Sequence, residues 1–269
     1  MKIISGKNKL VEFIYNEKNL GFVPTMGAIH LGHISLIKKS ILQCSKTIVS
    51  IFVNKPQFNR KSDFQKYPGI LKKDISILKK LNVDYLYLPS IKEIYPGGYN
   101  RDIKINSFKK RLCGKFRPGH FEAVVDVVDR FIKIIKPKKI YFGEKDMQQL
   151  KIIEHYVKKN HPKTKVVECK TLREKNGIPY SSRNFLLSVK QKKIASKIYN
   201  LLLNKKKNIS KSKKNLINIS KQILSLGAKK IDYLDILDIN KIIKPYTKNN
   251  KYKIFIAYYL GTTRLIDNI

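Results

Sequence analysis

Acidic side chains are scarce in this chain of 269 residues: 19, against 57 lysines and arginines, for a formal charge of +38. Such an excess first suggests nucleic acid or an anionic membrane surface as partner. The distribution argues otherwise, because lysine is spread along the whole chain beside abundant Ile and Asn. It is not clustered and interleaved with aromatics as a stacking platform requires. The charge reads as compositional drift, with weak polyanion binding as its consequence and no specific nucleic-acid partner. Cysteine is scarcer still. Cys44, Cys113 and Cys169 are scattered and odd in number, which excludes a disulfide framework and a zinc knuckle. No apolar run approaches the roughly 18 residues of a membrane span. The opening "MKIISGKNKLVEFIY" lacks the sustained apolar segment and cleavage site of a secretory signal, so a cytoplasmic location away from membranes is expected. Also missing are G-x-x-x-x-G-K-[ST], G-x-G-x-x-G and any internal repeat, so neither the usual P-loop nor the dinucleotide fingerprint is available.

What is present alternates. "GFVPTM", "ISLIKKSILQCS", "TIVSIFVN", "DISILKKLN" and "VDYLYLPS" read as strand, helix, strand, helix, strand, the rhythm of a parallel sheet with crossover helices. A helix follows in "FEAVVDVVDRFIKIIKP", ended by Pro137, then strands in "KIYFGEKD" and "TKVVECK". After a loop with Gly177 and Pro179 the texture changes. "NKKKNISKSKKNLINISKQ" is basic with Leu and Ile at helical spacing, which favours a solvated helix face over a nucleic-acid tail, and "IDYLDILDI" and "YKIFIAYYLGTTRLIDNI" read as strands. Two units are expected, 1–174 with a parallel α/β sheet and 175–269 with a smaller α+β fold.

Among five histidines, His30 and His33 stand three apart in "VPTMGAIHLGH", at an expected strand end and helix start. Helix N-termini at the carboxyl ends of parallel strands offer free N–H groups to anions. Gly32 lets the backbone approach a ligand without a Cβ. Two imidazole donors there form a compact polyphosphate site that would stabilise charge developing on a phosphate; capping or space-filling is the alternative for either histidine taken alone. No Cys/His cluster supplies further ligands, so no metal site is assigned. "YSSRN", Tyr180 to Asn184, offers hydroxyls and a guanidinium fork for phosphate oxygens. "FGEKD" offers Lys145 for phosphate and Asp146 for ribose hydroxyls; a turn with surface charges is the alternative for either motif taken alone.

In order along nearly the whole chain, "PTMGAIHLGHISLI", "SIFVNKPQF", "RPGHFEAVVDVV", "FGEKDMQQL", "GIPYSSRNFLL" and "GTTRLIDNI" resemble the pantothenate synthetase (pantoate–β-alanine ligase) family. The stretch around 204–222 matches no motif. The resemblance implies a Rossmann-like nucleotidyltransferase core related to class I aminoacyl-tRNA synthetases, with H-x-G-H as the relative of HIGH and S-S-R in the part of KMSKS. The ATP- and pantoate-binding catalytic domain is then 1–174, and 175–269 closes over the active site. Pantoate carboxylate would attack the α-phosphate of Mg-ATP to give pantoyl adenylate and pyrophosphate, after which the amine of β-alanine displaces AMP. By resemblance, Met26, Gly27, Ala28, Ile29, His30, Leu31, Gly32 and His33 form the ATP-binding turn, and His33, His30 and Lys145 act in catalysis. His33 is the family's assigned proton donor, although charge stabilisation explains the same position. Gly143, Glu144, Lys145, Asp146, Leu172, Tyr180, Ser181, Ser182 and Arg183 bind the rest of the nucleotide. Gln57 and Gln149 hold pantoate, Gln57 also neighbouring β-alanine, and Arg117 and His120 support the substrate region. A homodimer and Mg²⁺ are implied; the ion travels with ATP, and Asp74 is an outer-shell candidate. Three departures stand out: Pro56 is shifted by one place, Gly69 replaces an Arg after Tyr-Pro, and Tyr180 precedes S-S-R where Met or Leu is common. A different acid substrate in the same superfamily and an RNA-binding protein are the competing readings; the paired amides Gln57 and Gln149 favour a small polyhydroxy acid.

Overall fold

The computed structural model describes residues 1–59, 61–65, 67–100, 102–206, 213–239 and 252–269. Six strands form one parallel sheet: β1 (Lys2–Ile4), β2 (Leu20–Thr25), β3 (Lys46–Ile51), β4 (Tyr85–Tyr87), β5 (Lys139–Gly143) and β6 (Lys165–Cys169). Their order is β1-β4-β3-β2-β5-β6, every neighbouring pair parallel. The helices between them are α1 (Lys7–Ile14), α2 (Leu31–Gln43), α3 (Lys61–Gln65), α4 (Leu71–Lys80), α5 (Ile91–Ile94), α6 (Leu112–Phe116), α7 (His120–Ile135) and α8 (Met147–Asn160).

Period-two alternation places a core on each face of this sheet. Phe22, Ile48, Tyr85, Tyr87, Ile140 and Phe142 pack with Leu10 of α1 and Phe131 of α7. Their neighbours Val23, Val49, Leu86 and Tyr141 turn the other way, onto Ile37 of α2 and Leu78 of α4. Helix α7 carries buried Phe121, Val124, Val125, Val128, Phe131, Ile132 and Ile135 at the spacing of one helical face. It ends where Lys136 turns left-handed at φ 48° and Pro137 removes the next N–H donor.

From β2 the chain winds through β3 to β4 on one side, whereas β5 and β6 lie on the other. The strand order therefore reverses between β2 and β5, and the carboxyl ends of these two strands frame a crevice, the usual ligand position in open α/β sheets.

Helices α9 (Val189–Lys206) and α10 (Lys213–Ser225) precede an antiparallel sheet of β7 (Lys230–Asp238), β8 (Tyr252–Leu260) and β9 (Thr263–Asn268). Ile198, Leu202, Ile219 and Ile223 from the helices pack with Ile236, Ile254, Ile256 and Leu265 from the sheet in a second core. Leu237 and Phe255 instead join the large core, which ties the small sheet to α7 and α8.

The parallel sheet with flanking helices and the smaller α+β unit are as expected. Some details differ. β1 and the helices α1, α3, α5, α6 and α8 are additions to the elements expected from the sequence; β1 has three residues, of which only Ile4 is buried, too few to establish a period. "KIYFGEKD" is strand only to Gly143, after which Glu144–Asp146 form a single 3-10 turn. The basic stretch is helical at both ends, in α9 and α10, while 207–212 lie outside the described residues. No helix of the described residues is long and apolar enough to cross a membrane.

Candidate active site

At the end of β2, the Thr25 hydroxyl donates to the Ser50 carbonyl (2.7 Å) and accepts from the Gly27 N–H (3.1 Å). Gly27 and Ala28 then take φ of 80° and 51°, left-handed values that suit glycine and strain alanine. Asp74 holds them there. This carboxylate on α4 is 2% exposed, and its two oxygens accept the N–H groups of Ala28 and Ile29 at 2.8 Å each. The outer-shell candidate thus has both oxygens engaged in shaping the turn.

His30 is the N-cap of α2 and makes no side-chain cap hydrogen bond. Its ring stacks on His33 with centroids 4.0 Å apart and planes at 24°. Both Nδ1 atoms are buried, with no hydrogen-bond partner among the described residues. Burial, then the neighbouring His33 and Lys145, lowers the His30 pKa to about 3. Burial and then Lys145 lower that of His33 to about 4. Both imidazoles are therefore neutral near pH 7, each with one N–H to donate. A Cβ on Gly32 would stand 2.9 Å from His30 Cε1 and Nδ1, so the stacked pair requires glycine there.

Across the switch point, β5 delivers Gly143 and the turn carrying Lys145. Lys145 Nζ lies 3.7 Å from Asp146 Oδ1. The turn is clasped from β9: buried Asn268 donates from Nδ2 to the carbonyls of Glu144 (2.8 Å) and Lys145 (2.9 Å). Lys253 bridges Glu144 Oε2 (3.3 Å) and Asn268 Oδ1 (2.9 Å). Arg173 secures β9 in turn through Asp267, with contacts of 2.8 and 2.9 Å.

The third wall centres on Gln57. Asn54, 1% exposed, donates to Gln57 Oε1 (3.2 Å) and the Ala123 carbonyl (3.0 Å) and accepts from Tyr95 Oη (2.8 Å). The Gln57 carbonyl receives Arg117 Nη2 (2.9 Å) and lies 2.8 Å from His120 Nδ1. Donation from that Nδ1–H leaves His120 Nε2 as acceptor for Arg117 Nη1 at 3.0 Å. Burial first, then Arg117, holds His120 well below the usual histidine range. Burial and then Arg183 push Arg117 down to about 10, still cationic at neutral pH.

The loop after Gly177 closes the circle. Ser182, buried, donates to the Ala28 carbonyl (3.3 Å), and the Tyr180 N–H donates to the Leu172 carbonyl (3.1 Å). Arg183 donates to the Arg264 carbonyl (3.1 Å) and to Asp63 Oδ2 (2.8 Å).

A cavity of about 300 Å³ joins these walls. Of the residues expected from the sequence, Met26, His30, Gly32, His33, Gln57, Gly143, Lys145, Asp146, Gln149, Leu172 and Tyr180 to Arg183 line it, with Arg117 and His120. Gly27, Ala28, Ile29, Leu31 and Glu144 do not. The first three are buried behind the turn, Leu31 points outward at 47% exposure, and Glu144 pairs with Lys253. Tyr67, Thr171 and Arg264 line it without having been assigned from the sequence. Arg264 stands in the quoted "GTTRLIDNI", and an arginine among apolar strand residues was the available signal. Tyr67 opens the Tyr-Pro pair before Gly69 but was given no role, and nothing marked Thr171. No group of three or more His, Cys, Asp or Glu that could hold a metal occurs among the described residues.

A cationic cavity at the strand-order reversal of an open parallel sheet, opened by an uncapped helix N-terminus and two neutral imidazoles, defines an α/β enzyme built to receive an anionic ligand. The family model for pantoate-beta-alanine ligase matches residues 2–269. A pantothenate synthetase of Endomicrobium trichonymphae is 41% identical over all of this chain and 97% of its own length, and one of Thermosipho melanesiensis is 38% identical over 100% and 99%. Among solved structures, the pantoate-beta-alanine ligase of Francisella tularensis, complexed with beta-gamma ATP and beta-alanine, has a TM-score of 0.86 and 40% identity, covering 100% of this chain and 97% of its own. The pantothenate synthetase of Thermus thermophilus has a TM-score of 0.90 and 30% identity, covering 100% and 99%. The chain belongs to the pantoate–β-alanine ligase family and is an enzyme of pantothenate synthesis.

Proposed function

We propose that the chain condenses pantoate with β-alanine at the expense of ATP through a pantoyl-adenylate intermediate. The observation that carries this reading is the stacked, neutral pair His30 and His33 at the uncapped start of α2, facing the same cavity as Lys145. Neutral N–H donors, a helix N-terminus and an ammonium suit a polyphosphate, and they gain strength as charge builds on the α-phosphate. A pantoate carboxylate oxygen attacks that phosphorus and pyrophosphate leaves. The β-alanine amine then attacks the acyl carbon, loses a proton, and AMP leaves with the electron pair of the acyl C–O bond.

In this reading Lys145 and Arg183 hold phosphate oxygens, and Asp146 accepts from the ribose hydroxyls. Leu172 meets the adenine through its backbone, and Tyr180 to Ser182 close the phosphate side. Gln57 and Gln149 hold the hydroxy acid with neutral amides, and Gln57 also borders the amine's approach. Asn54 and His120 keep Gln57 in place. Mg²⁺ enters as part of the substrate Mg-ATP, where it neutralises phosphate charge. The donor set offers it no dedicated cage, since the two oxygens of Asp74 accept backbone N–H bonds, and small hard cations commonly bind through substrate phosphates. Residues 175–269 act as the part that closes on the nucleotide, the enzyme works as a homodimer, and the reaction takes place in the cytoplasm.

The test is incubation with Mg-ATP and pantoate, with and without β-alanine. Pyrophosphate and enzyme-bound acyl adenylate should form with pantoate alone, and AMP turnover should require β-alanine. ATP consumption with some other carboxylic acid, but not pantoate, would overturn the substrate; no consumption with any acid would overturn the adenylation.

A further inference from the structure

Arg183 is held by two unlike acceptors. One guanidinium nitrogen donates to the backbone carbonyl of Arg264, a fixed point on β9, at 3.1 Å. The other donates to the Asp63 carboxylate, 2.8 Å away, from a residue 120 positions earlier in the chain. The ion pair is partly shielded, with Arg183 21% and Asp63 38% exposed. These bonds engage two of the five guanidinium donors and fix the plane of the fork.

The surroundings of Arg183 give the carboxylate its importance. Arg117 feels the charges of both Arg183 and Arg264, each of which disfavours its protonated form. Three guanidinium groups thus share one corner of the cavity, and like charges in a partly buried setting repel. Arg264 has its own counterion, Asp232, at 2.7 Å. Asp63 does the same for Arg183, and without it the fork has a repulsive neighbour inside and water outside. The segment bearing Asp63 is itself anchored. Phe58 meets Phe64 and Tyr67 edge-on at 5.5 and 5.6 Å, and the half-buried Tyr67 places its phenol against Ser182, the residue before Arg183.

We propose that Asp63 is a positioning residue for ATP, holding the Arg183 fork toward the cavity against the repulsion of Arg117 and Arg264. The proposal rests on the reading that Arg183 binds phosphate. Asp63 touches no substrate; its hydrogen bond goes to Arg183, while its charge also favours the protonated form of Arg117, so its effect belongs chiefly in the affinity for ATP. Asparagine at this position keeps an oxygen acceptor for the guanidinium and removes only the charge, whereas alanine removes both.

The experiment is steady-state kinetics on the full chain for D63A, D63N, R183A and the double variant D63A/R183A, with melting curves. D63A should raise the KM for ATP about tenfold, the scale of one charge-assisted hydrogen bond. It should lower kcat less than threefold and leave the KM for pantoate and for β-alanine unchanged. D63N should recover only a minor part of the loss, because the amide keeps an acceptor but not the charge that offsets Arg117 and Arg264. In the R183A background D63A should add little, because the residues act as one unit. An unchanged or lowered KM for ATP in D63A would overturn the proposal; a lowered value would mean that the carboxylate competes with phosphate instead of presenting the arginine. Equal rises in all three KM values together with a lower melting temperature would assign Asp63 a structural role only and overturn it as well. If R183A itself leaves the KM for ATP unchanged, the phosphate assignment of Arg183 fails first and takes this proposal with it. A large effect of R183A beside a silent D63A sinks the proposal alone.

Discussion

Two walls of the cavity treat buried nitrogen in opposite ways. On the Gln57 side, Asn54, His120 and Arg117 hydrogen-bond one another or nearby carbonyls at 2.8 to 3.2 Å. On the His30 side, two Nδ1 atoms are buried with no partner among the described residues, although their rings touch. Buried polar atoms in folded proteins are nearly always paired, so an unpaired cluster in a cavity marks where a ligand or water supplies the missing partner. The paired wall maintains a shape, and the unpaired wall keeps donors and acceptors ready. Removing a side chain should therefore cost stability on the first wall and turnover on the second.

The largest effect expected from this contrast is on chemistry. His33→Ala should lower kcat by about 10²–10³, the loss typical of one donor aimed at a transition state. It should change folding stability by less than about 1 kcal/mol, since no hydrogen bond within the fold is broken. Steady-state rates beside a melting curve decide this; a variant that melts far lower would put His33 among the structural residues. Asn54→Ala should do the reverse. It leaves the Tyr95 hydroxyl and the Gln57 amide short of a partner, for about 1–3 kcal/mol of stability, or roughly 2–4 °C in Tm for each kcal/mol. The hydroxy-acid KM should rise as Gln57 loosens, while the KM for ATP stays put. A smaller effect follows from Gly32→Ala, whose Cβ would meet the His30 ring at 2.9 Å. The ring must swing out of its stack, and kcat/KM for ATP should fall by about tenfold, consistent with ångström-scale misplacement of a positioned group. An unchanged kcat/KM would mean that the stack itself contributes nothing.

Much of this was legible in the sequence, for identifiable reasons. The parallel sheet was readable because Phe22/Val23, Ile48/Val49 and Tyr85/Leu86 lie in compact apolar runs, which strands buried on both faces produce. H-L-G-H and G-E-K-D could be located as soon as the strands before them were assigned. The role of Asp74 was not legible. The sequence offered Asp74 only as an outer-shell partner of the ion, and only the meeting of α4 with the turn 46 residues earlier reveals a carboxylate whose two oxygens hold that turn. Asn54 and Asn268 escaped for the same reason, since their partners lie in distant elements. The missing bonds of His30 and His33 were equally invisible, because a sequence records which groups exist and not whether they are satisfied.

The smallest expected effect is an absence of change with pH, and it separates two accounts of His33. A histidine that donates its proton as an imidazolium must be charged when ATP meets the enzyme, and with a pKa of about 4 it is charged in roughly one free-enzyme molecule in a thousand at pH 7. A neutral imidazole that donates an N–H to developing charge needs no such population. From His30 and His33, then, kcat/KM should vary less than about twofold between pH 6 and 8 and show its acid limb near pH 4. Stability behaves differently. Unfolded histidines bind protons near pH 6.5, whereas the folded His30, His33 and His120 resist protonation. The unfolded chain thus holds more protons between about pH 6.5 and 4, and stability falls as pH drops through that window, before the carboxylates titrate. His120→Asn should lessen this fall and leave the acid limb of kcat/KM where it was, because the proposed reading puts His30 and His33, and not His120, against ATP. A kcat/KM limb near pH 6.5 that vanishes in His33→Ala would show a charged imidazole at work and erase the distinction between the two walls.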